Sequence, residues 1–344
     1  VRAVRVTSPG VLEFTEVDVP VPGPGEVLLK VAATGLCHSD MFVKEAPPHL
    51  RLTLPFTPGH EIAGTVVEAG RATDGWIAGR PAAVYCLLGC GDCAACGQGE
   101  DNMCRRGYRG IGVHLDGGLA EYVRVPAANL VAIDGLPPAV AAPLTDAGLT
   151  AYHTVETARR ILDERLHAAT VVVIGIGGLG HLAVQLFAHR WVGTLIAVDV
   201  SPDKLALARR LGATHRVLAG AEATDSILSI AGGREADLAV DFVGASDTLA
   251  LAADVVGRGG AVLIAGQGGG VLPMEAAADS RVAAEVRVVR TSSGSRRELT
   301  EVMDLAAAGV LRPETELFPL DRALEAFGRL EAGDLLGRAV ITLS

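Results

Sequence analysis

Residues Thr170–Asp199 read TVVVIGIGGLGHLAVQLFAHRWVGTLIAVD. Val171, Val172, Val173 and Ile174 form a β-branched run without alternation, the pattern of a strand covered on both faces. Gly175, Gly177 and Gly180 follow as G-x-G-x-x-G, and a helix-like pattern runs on through Leu182, Val184, Leu186 and Phe187. A second apolar run, Leu195–Val198, stops at Asp199. Strand, glycine turn, helix, strand and acid, in that order, are the marks of a dinucleotide-binding unit. Gly175 permits the tight turn, Gly177 lets a pyrophosphate approach the backbone, and Gly180 lets the helix pack on the strand. Gly178 and Leu179 complete the turn and count with it as cofactor-binding. The helix start adds unpaired N–H groups and a partial positive charge for the phosphates. Asp199 falls where a carboxylate accepts hydrogen bonds from the adenosine ribose hydroxyls. A 2′-phosphate there meets like charge, so the expected cofactor is NAD rather than NADP. The competing reading is a glycine-rich turn in another kind of α/β sheet.

The chain has 344 residues, enough for about two domains, with 49% hydrophobic and 20% charged residues, as in a soluble globular protein. No apolar stretch approaches the ~18 residues of a membrane span. The opening VRAVRVTSPG has no apolar core like that of a secretory signal, so a cytoplasmic location is expected. A net charge of −10 argues against a nucleic-acid partner.

Around the stretch Thr170–Asp199, residues 148–290 alternate strand and helix: Val171–Ile174, Leu195–Asp199, Leu238–Phe242, Ala261–Ala265 and Arg287–Thr291 are the expected strands. This predicts an α/β, doubly wound parallel sheet. Residues 1–147 are rich in Pro, Gly and short β-branched runs such as Val27–Val31, Ala63–Glu68 and Ala120–Val125, and predict a mostly-β domain. Residues 291–344 hold helical patterns at Glu298–Ala307 and Asp321–Leu330 and a last strand, Arg338–Thr342, expected to return to the first domain.

Of six cysteines, Cys90, Cys93, Cys96 and Cys104 lie together in GCGDCAACGQGEDNMC. Four thiolates so close in sequence close a tetrahedron around one zinc and leave no open position, which makes the site structural. A four-thiolate iron–sulfur cluster is the competing reading. A nucleic-acid-binding finger is disfavoured by Asp92, Glu100 and Asp101. A second set is dispersed: Cys37 in GLCHSD, His60 in PGHEIAG and Asp146 in PLTDAGLTAYH. One thiolate, one imidazole and one carboxylate suit a catalytic zinc with its fourth position open. Taken singly, each also reads as a core thiol, a turn histidine and a helix cap. Cys86 belongs to neither set and reads as a buried thiol.

These stretches, with Gly59-His60-Glu61, Asp146-Ala147-Gly148-Leu149-Thr150 and Gly337-Arg338, occur in an order and spacing that resembles the zinc-dependent alcohol dehydrogenases of the medium-chain dehydrogenase/reductase superfamily. The likeness covers essentially the whole chain. It is nearest to the bacterial secondary alcohol dehydrogenases, whose third ligand is Asp. The resemblance implies a GroES-like catalytic domain beside the Rossmann domain, an active site in the cleft between them, and two zinc ions per subunit. It implies Cys37, His60 and Asp146 as catalytic zinc ligands, Glu61 as an acid that approaches the metal, and Asp40 as the carboxylate that orients His60. His38 and Arg338 would contact the pyrophosphate, Thr150 the nicotinamide and Lys204 the adenosine ribose.

The implied reaction is hydride transfer between a secondary alcohol or ketone and NAD(H), with Ser39 taking the hydroxyl proton. A polyol or sugar-alcohol dehydrogenase is the alternative, and a non-catalytic NAD-binding scaffold a more distant one. Phe42 stands where many relatives have a histidine that ends the proton path, and reads as a pocket wall. The loop KEAPPHLRLTLPF and the segment Thr291–Gly294 lack the aromatic residues found near the substrate in the nearest relatives, so a wider or more polar pocket is expected. The family also implies a homo-oligomer, a tetramer more than a dimer, joined through edge strands such as Arg287–Thr291.

Overall fold

In the computed structural model, Thr170–Ile174 is an inner strand of a six-stranded parallel sheet. The structure describes residues 1–343 apart from 74, 191, 192 and 278. The sheet order is His215–Leu218, Thr194–Asp199, Thr170–Ile174, Ala236–Asp241, Val256–Ile264, Arg287–Arg290. Every neighbouring pair is parallel. The chain starts in the middle, winds outward to one edge, then crosses to the other half, which is the doubly wound Rossmann order. Helices on both faces explain the sequence pattern: Val171, Val172 and Val173 are all fully buried. Each contributes about 1.5–3 kcal/mol by leaving water. This unit comprises Thr150–Ser293.

The other unit comprises Val1–Leu149 and Gly294–Ser344. Its main sheet runs in the order Thr315–Pro319, Arg338–Thr342, Glu26–Gly35, Glu61–Ala69, Pro81–Val84, Leu130–Ala132, with Tyr122–Pro126 also paired to Glu26–Gly35. Apart from the parallel outer pair Thr315–Pro319 and Arg338–Thr342, the pairings are antiparallel. Leu29, Val31, Ile62, Val66, Val84, Val125, Phe318, Phe327 and Ile341 pack its core. Helix Arg296–Ala307 starts with a capping box: Ser295 Oγ accepts from the Glu298 N–H, and Glu298 accepts from the Ser295 N–H. Among the described residues no helix is long and apolar enough to cross a membrane.

Candidate active site and metal centres

Three neighbouring strands of the mainly antiparallel sheet meet at one end of it. Gly35, the last residue of Glu26–Gly35, pairs with Glu61, the first of Glu61–Ala69, and with Val340 of Arg338–Thr342. Cys37, His60, Glu61 and Arg338 are thereby gathered within a few residues of Gly35. A Cβ on Gly35 would collide with the Glu61 carboxylate, so glycine there lets that carboxylate lie across the middle strand.

Cys37 caps the short helix His38–Lys44. The carboxylate of Asp40, fully buried, accepts from the Cys37 N–H at 2.8 Å, the Gly59 N–H at 3.3 Å and the ring Nδ1 of His60 at 3.1 Å. A carboxylate acceptor makes Nδ1 the protonated nitrogen, which leaves the Nε2 lone pair of the neutral ring directed elsewhere. Nε2 lies 3.5 Å from Asp146 Oδ2. Gly59, at φ +98°, makes the left-handed turn that delivers His60; a side chain there would press on Leu119 and Thr34.

Asp146 sits in a π-helical turn, Leu144–Gly148, that follows Pro143. Proline cannot donate to the helical ladder, and a wider turn re-aims the following side chains. The Ala147 N–H of that turn donates to Glu61 Oε1 at 3.1 Å. The Cys37 thiol, the His60 ring and the Asp146 carboxylate place their donor atoms within 4.8 Å of one another.

Arg338, 3% exposed, donates from Nε to Glu61 Oε2 at 3.1 Å and from Nη2 to Glu61 Oε1, and also reaches Asp146 Oδ2 at 3.4 Å. Burial pushes the Glu61 carboxyl up, against the pull of Arg338. Burial also opposes charge on His60, yet Asp40 and Asp146 more than offset it and hold the imidazole well above its ordinary value. Burial opposes charge on Asp146 as well, but the His60 ring facing it prevails and holds the carboxyl down at about 2. The Cys37 thiol, the His60 ring and the Asp146 carboxylate thus converge beside two further carboxylates, Asp40 and Glu61, and a thiolate, an imidazole and a carboxylate so gathered fit a divalent cation and suit zinc.

The remaining residues of this segment lie close by. Ser39 is half-buried with Oγ 3.6 Å from Cys37 Sγ, and His38 is exposed. Phe42 is about half exposed, its ring centroid 5.4 Å from that of His49. Cys86 is buried, and burial pushes its thiol up to about 12. Sequence reasoning misses the space that Gly35 leaves, the Ala147 N–H contact and the pairing of Glu61 with Arg338; the resemblance points to Glu61 and Arg338 singly, and no local signal joins them.

Cys90, Cys93, Cys96 and Cys104 form the second group, their sulfurs within 4.8 Å of one another and none in a disulfide. Backbone N–H groups of Cys96 and Arg105 draw the Cys93 thiol down to about 6, so the lobe favours thiolate there before any metal binds.

In the Rossmann unit, Gly175 adopts φ +86° and Gly180 opens helix Gly180–Arg190. A Cβ on Gly180 would strike the Gly175 carbonyl, whereas one on Gly177 would meet no protein atom within 4 Å. The N–H groups of Gly177, Gly178 and Leu179 make no backbone hydrogen bond among the described residues, and all three residues are partly exposed. They are donors open to an anion from outside. Asp199 is buried and accepts from the Ile176 N–H at 2.7 Å and the Ser201 N–H at 2.9 Å. It braces the glycine turn itself, a role additional to any contact with a ribose. Lys204 is partly buried in helix Pro202–Arg210, its N–H 3.4 Å from Ser201 Oγ. Thr150 is buried, and its carbonyl accepts from Thr154 Oγ1 at 2.8 Å.

Two family models match the chain: the alcohol dehydrogenase GroES-like domain over residues 23–135 and the zinc-binding dehydrogenases over residues 178–308. The chain is 33% identical to an NAD-dependent alcohol dehydrogenase of Sulfolobus acidocaldarius, covering 97% of this chain and 96% of that one. It is 34% identical to an alcohol dehydrogenase of Geobacillus stearothermophilus, covering 96% of each. The crystal structure of the alcohol dehydrogenase from the hyperthermophilic archaeon Aeropyrum pernix superposes with a TM-score of 0.90 at 34% identity, over 100% of both chains.

Proposed function

The chain belongs to the zinc-dependent alcohol dehydrogenases of the medium-chain dehydrogenase/reductase superfamily, and we propose that it interconverts secondary alcohols and ketones at Cys37, His60 and Asp146. It is an NAD-dependent oxidoreductase of alcohols. The carrying observation is the convergence of those three donors within 4.8 Å, with His60 turned by Asp40 so that Nε2 faces Asp146.

Zinc at these donors supplies Lewis acidity, which makes a bound alcohol acidic near neutral pH, and NAD supplies the hydride acceptor. The chain's own residues do the rest. Ser39 Oγ receives the hydroxyl proton and passes it toward solvent. Asp40 fixes the His60 tautomer and so the direction of its lone pair. Arg338 holds the Glu61 side chain in place beside the ligands. In the other unit, the N–H groups of Gly177, Gly178 and Leu179 take the pyrophosphate, and Asp199 and Lys204 the adenosine ribose. Thr150 borders the nicotinamide.

A homo-oligomer, most simply a tetramer, completes the reading. Strand Arg287–Arg290 ends the parallel sheet, and an edge with unpaired N–H and C=O groups is a template for a second copy. A reducing, cytoplasmic location suits four lobe thiols kept available for metal.

The test is NADH formation, followed optically, with secondary alcohols, primary alcohols and polyols. Zinc-replete protein should oxidise hydrophobic secondary alcohols, and Asp146→Ala should abolish that turnover. Turnover of polyols alone would make the protein a polyol dehydrogenase instead.

A further inference from the structure

His181 follows the last glycine of the turn and is fully buried in the first turn of helix Gly180–Arg190. Its Nδ1 lies 2.8 Å from the carbonyl oxygen of Gly177. A carbonyl oxygen can only accept, so Nδ1 carries the proton. The same oxygen accepts the backbone N–H of His181 at 3.2 Å. The Gly177 carbonyl is therefore held by two donors, both from the helix.

That carbonyl belongs to the peptide unit whose N–H is that of Gly178. In a planar trans peptide the C=O and N–H point in opposite directions. Drawing the carbonyl toward the helix turns the Gly178 N–H away from it, to the side where the turn is open. Glycine on both sides of the unit leaves it free to rotate at little steric cost. Rotated, it would offer a carbonyl oxygen where an anion is to bind. One backbone hydrogen bond at 3.2 Å is a weak restraint for so permissive a unit; the shorter bond from the ring supplies a second.

We propose that His181 is a positioning residue for the cofactor: by bonding the Gly177 carbonyl it locks the Gly177–Gly178 peptide with its N–H outward, toward the pyrophosphate. The inference rests on the reading that this turn holds the NAD pyrophosphate. His181 itself touches no cofactor; it acts through the Gly178 N–H.

The test compares the full-length, zinc-loaded enzyme with its His181→Leu and His181→Ser variants. Dissociation constants are measured for NADH, adenosine diphosphate ribose and adenosine, and melting temperatures for all three proteins. Leu fills the ring's space without a donor. It should weaken NADH and adenosine diphosphate ribose roughly tenfold and leave adenosine unchanged. Ser leaves a cavity and should lower the melting temperature further. Its hydroxyl can still reach the carbonyl four residues back, as Thr154 Oγ1 reaches Thr150 at 2.8 Å, so pyrophosphate affinity should return to within about threefold of wild type. Affinity that instead follows melting temperature across the variants, or that falls equally for adenosine, overturns the proposal. Wild-type protein that binds adenosine diphosphate ribose no better than adenosine overturns the reading of the turn. A clear wild-type preference that His181→Leu retains in full overturns the role of His181 alone.

Discussion

Arg338 and Glu61 are joined by two hydrogen bonds across the strand that carries Gly35, with side-chain exposures of 3% and 0%. Neither group has water to fall back on, so each depends on the other for its charge. Removing one partner of such a pair costs about 3–5 kcal/mol, because the survivor is left buried and uncompensated. Arg338→Met should therefore destabilise the zinc-loaded protein by about that amount in urea unfolding. Adding Glu61→Gln to it should recover most of the loss. A double variant no more stable than Arg338→Met would show that Arg338 acts through packing and not through its charge.

The proposed zinc ligands His60 and Asp146 titrate in opposite senses. In metal-free protein His60 is held above its ordinary pKa by Asp40 and Asp146 despite burial. Its contribution to stability is full below an unfolded pKa of about 6.5 and is lost as pH rises through the raised folded value. Asp146, held down at about 2, contributes in the opposite sense. Its share is present above an unfolded value of about 3.9 and is lost as pH falls toward the folded one. Zinc and the His60 proton compete for the same lone pair, so affinity at the site abolished by Asp146→Ala should rise with pH. Near pH 7, calorimetric zinc titration in two buffers of different ionisation enthalpy should reveal proton release. An affinity flat in pH would remove His60 from the ligand set.

The glycine turn separates fold from function within a few residues. A methyl on Gly180 meets the Gly175 carbonyl, so Gly180→Ala must push the helix off the strand. A methyl on Gly177 meets no protein atom, so Gly177→Ala should leave the melting temperature nearly unchanged. On the proposed placement of the pyrophosphate the same methyl stands in the cofactor's way, and NADH affinity should fall at least tenfold. Equal NADH affinity in Gly177→Ala and wild type would place the pyrophosphate elsewhere.

These contrasts follow what a sequence can and cannot display. Val171–Ile174 is readable because a strand buried on both faces must be apolar at every position. His215–Leu218 belongs to the same sheet but lies at its edge with Val217 alone buried, so its composition carries no strand signal. The four lobe cysteines are legible as a group because a short segment can fold them together. Cys37, His60 and Asp146 come from three segments, and singly each has an ordinary structural reading; only sheet pairing and the π-helical turn after Pro143 bring them together. Arg338 is the extreme case. Its partner Glu61 lies 277 residues away in the chain, and no local pattern relates a guanidinium to a carboxylate at that distance. Family resemblance supplied the expectation of a pyrophosphate contact, whereas the register around Gly35 shows where the side chain is engaged.

The cysteine lobe has almost no core of its own. Between Gly89 and Cys104 the chain forms one short helix, Ala94–Gly97, and one 3₁₀ turn, Asp101–Met103, and Ala95 is its buried apolar residue. The Arg106–Asp92 ion pair beside it is exposed on both sides and adds little. A segment with so little core needs another source of order, and four thiolates closing on zinc provide it. Cys93 is the most informative position, because backbone N–H groups already draw its thiol toward thiolate. Cys93→Ser should lower the zinc content from two ions per chain to one and bring down the melting temperature. The remaining zinc should still be lost on Asp146→Ala, since the two groups share no ligand. Elemental analysis of the single and double variants decides it: two zinc ions retained in Cys93→Ser would deny the lobe its metal, and iron in place of zinc would make it a cluster site.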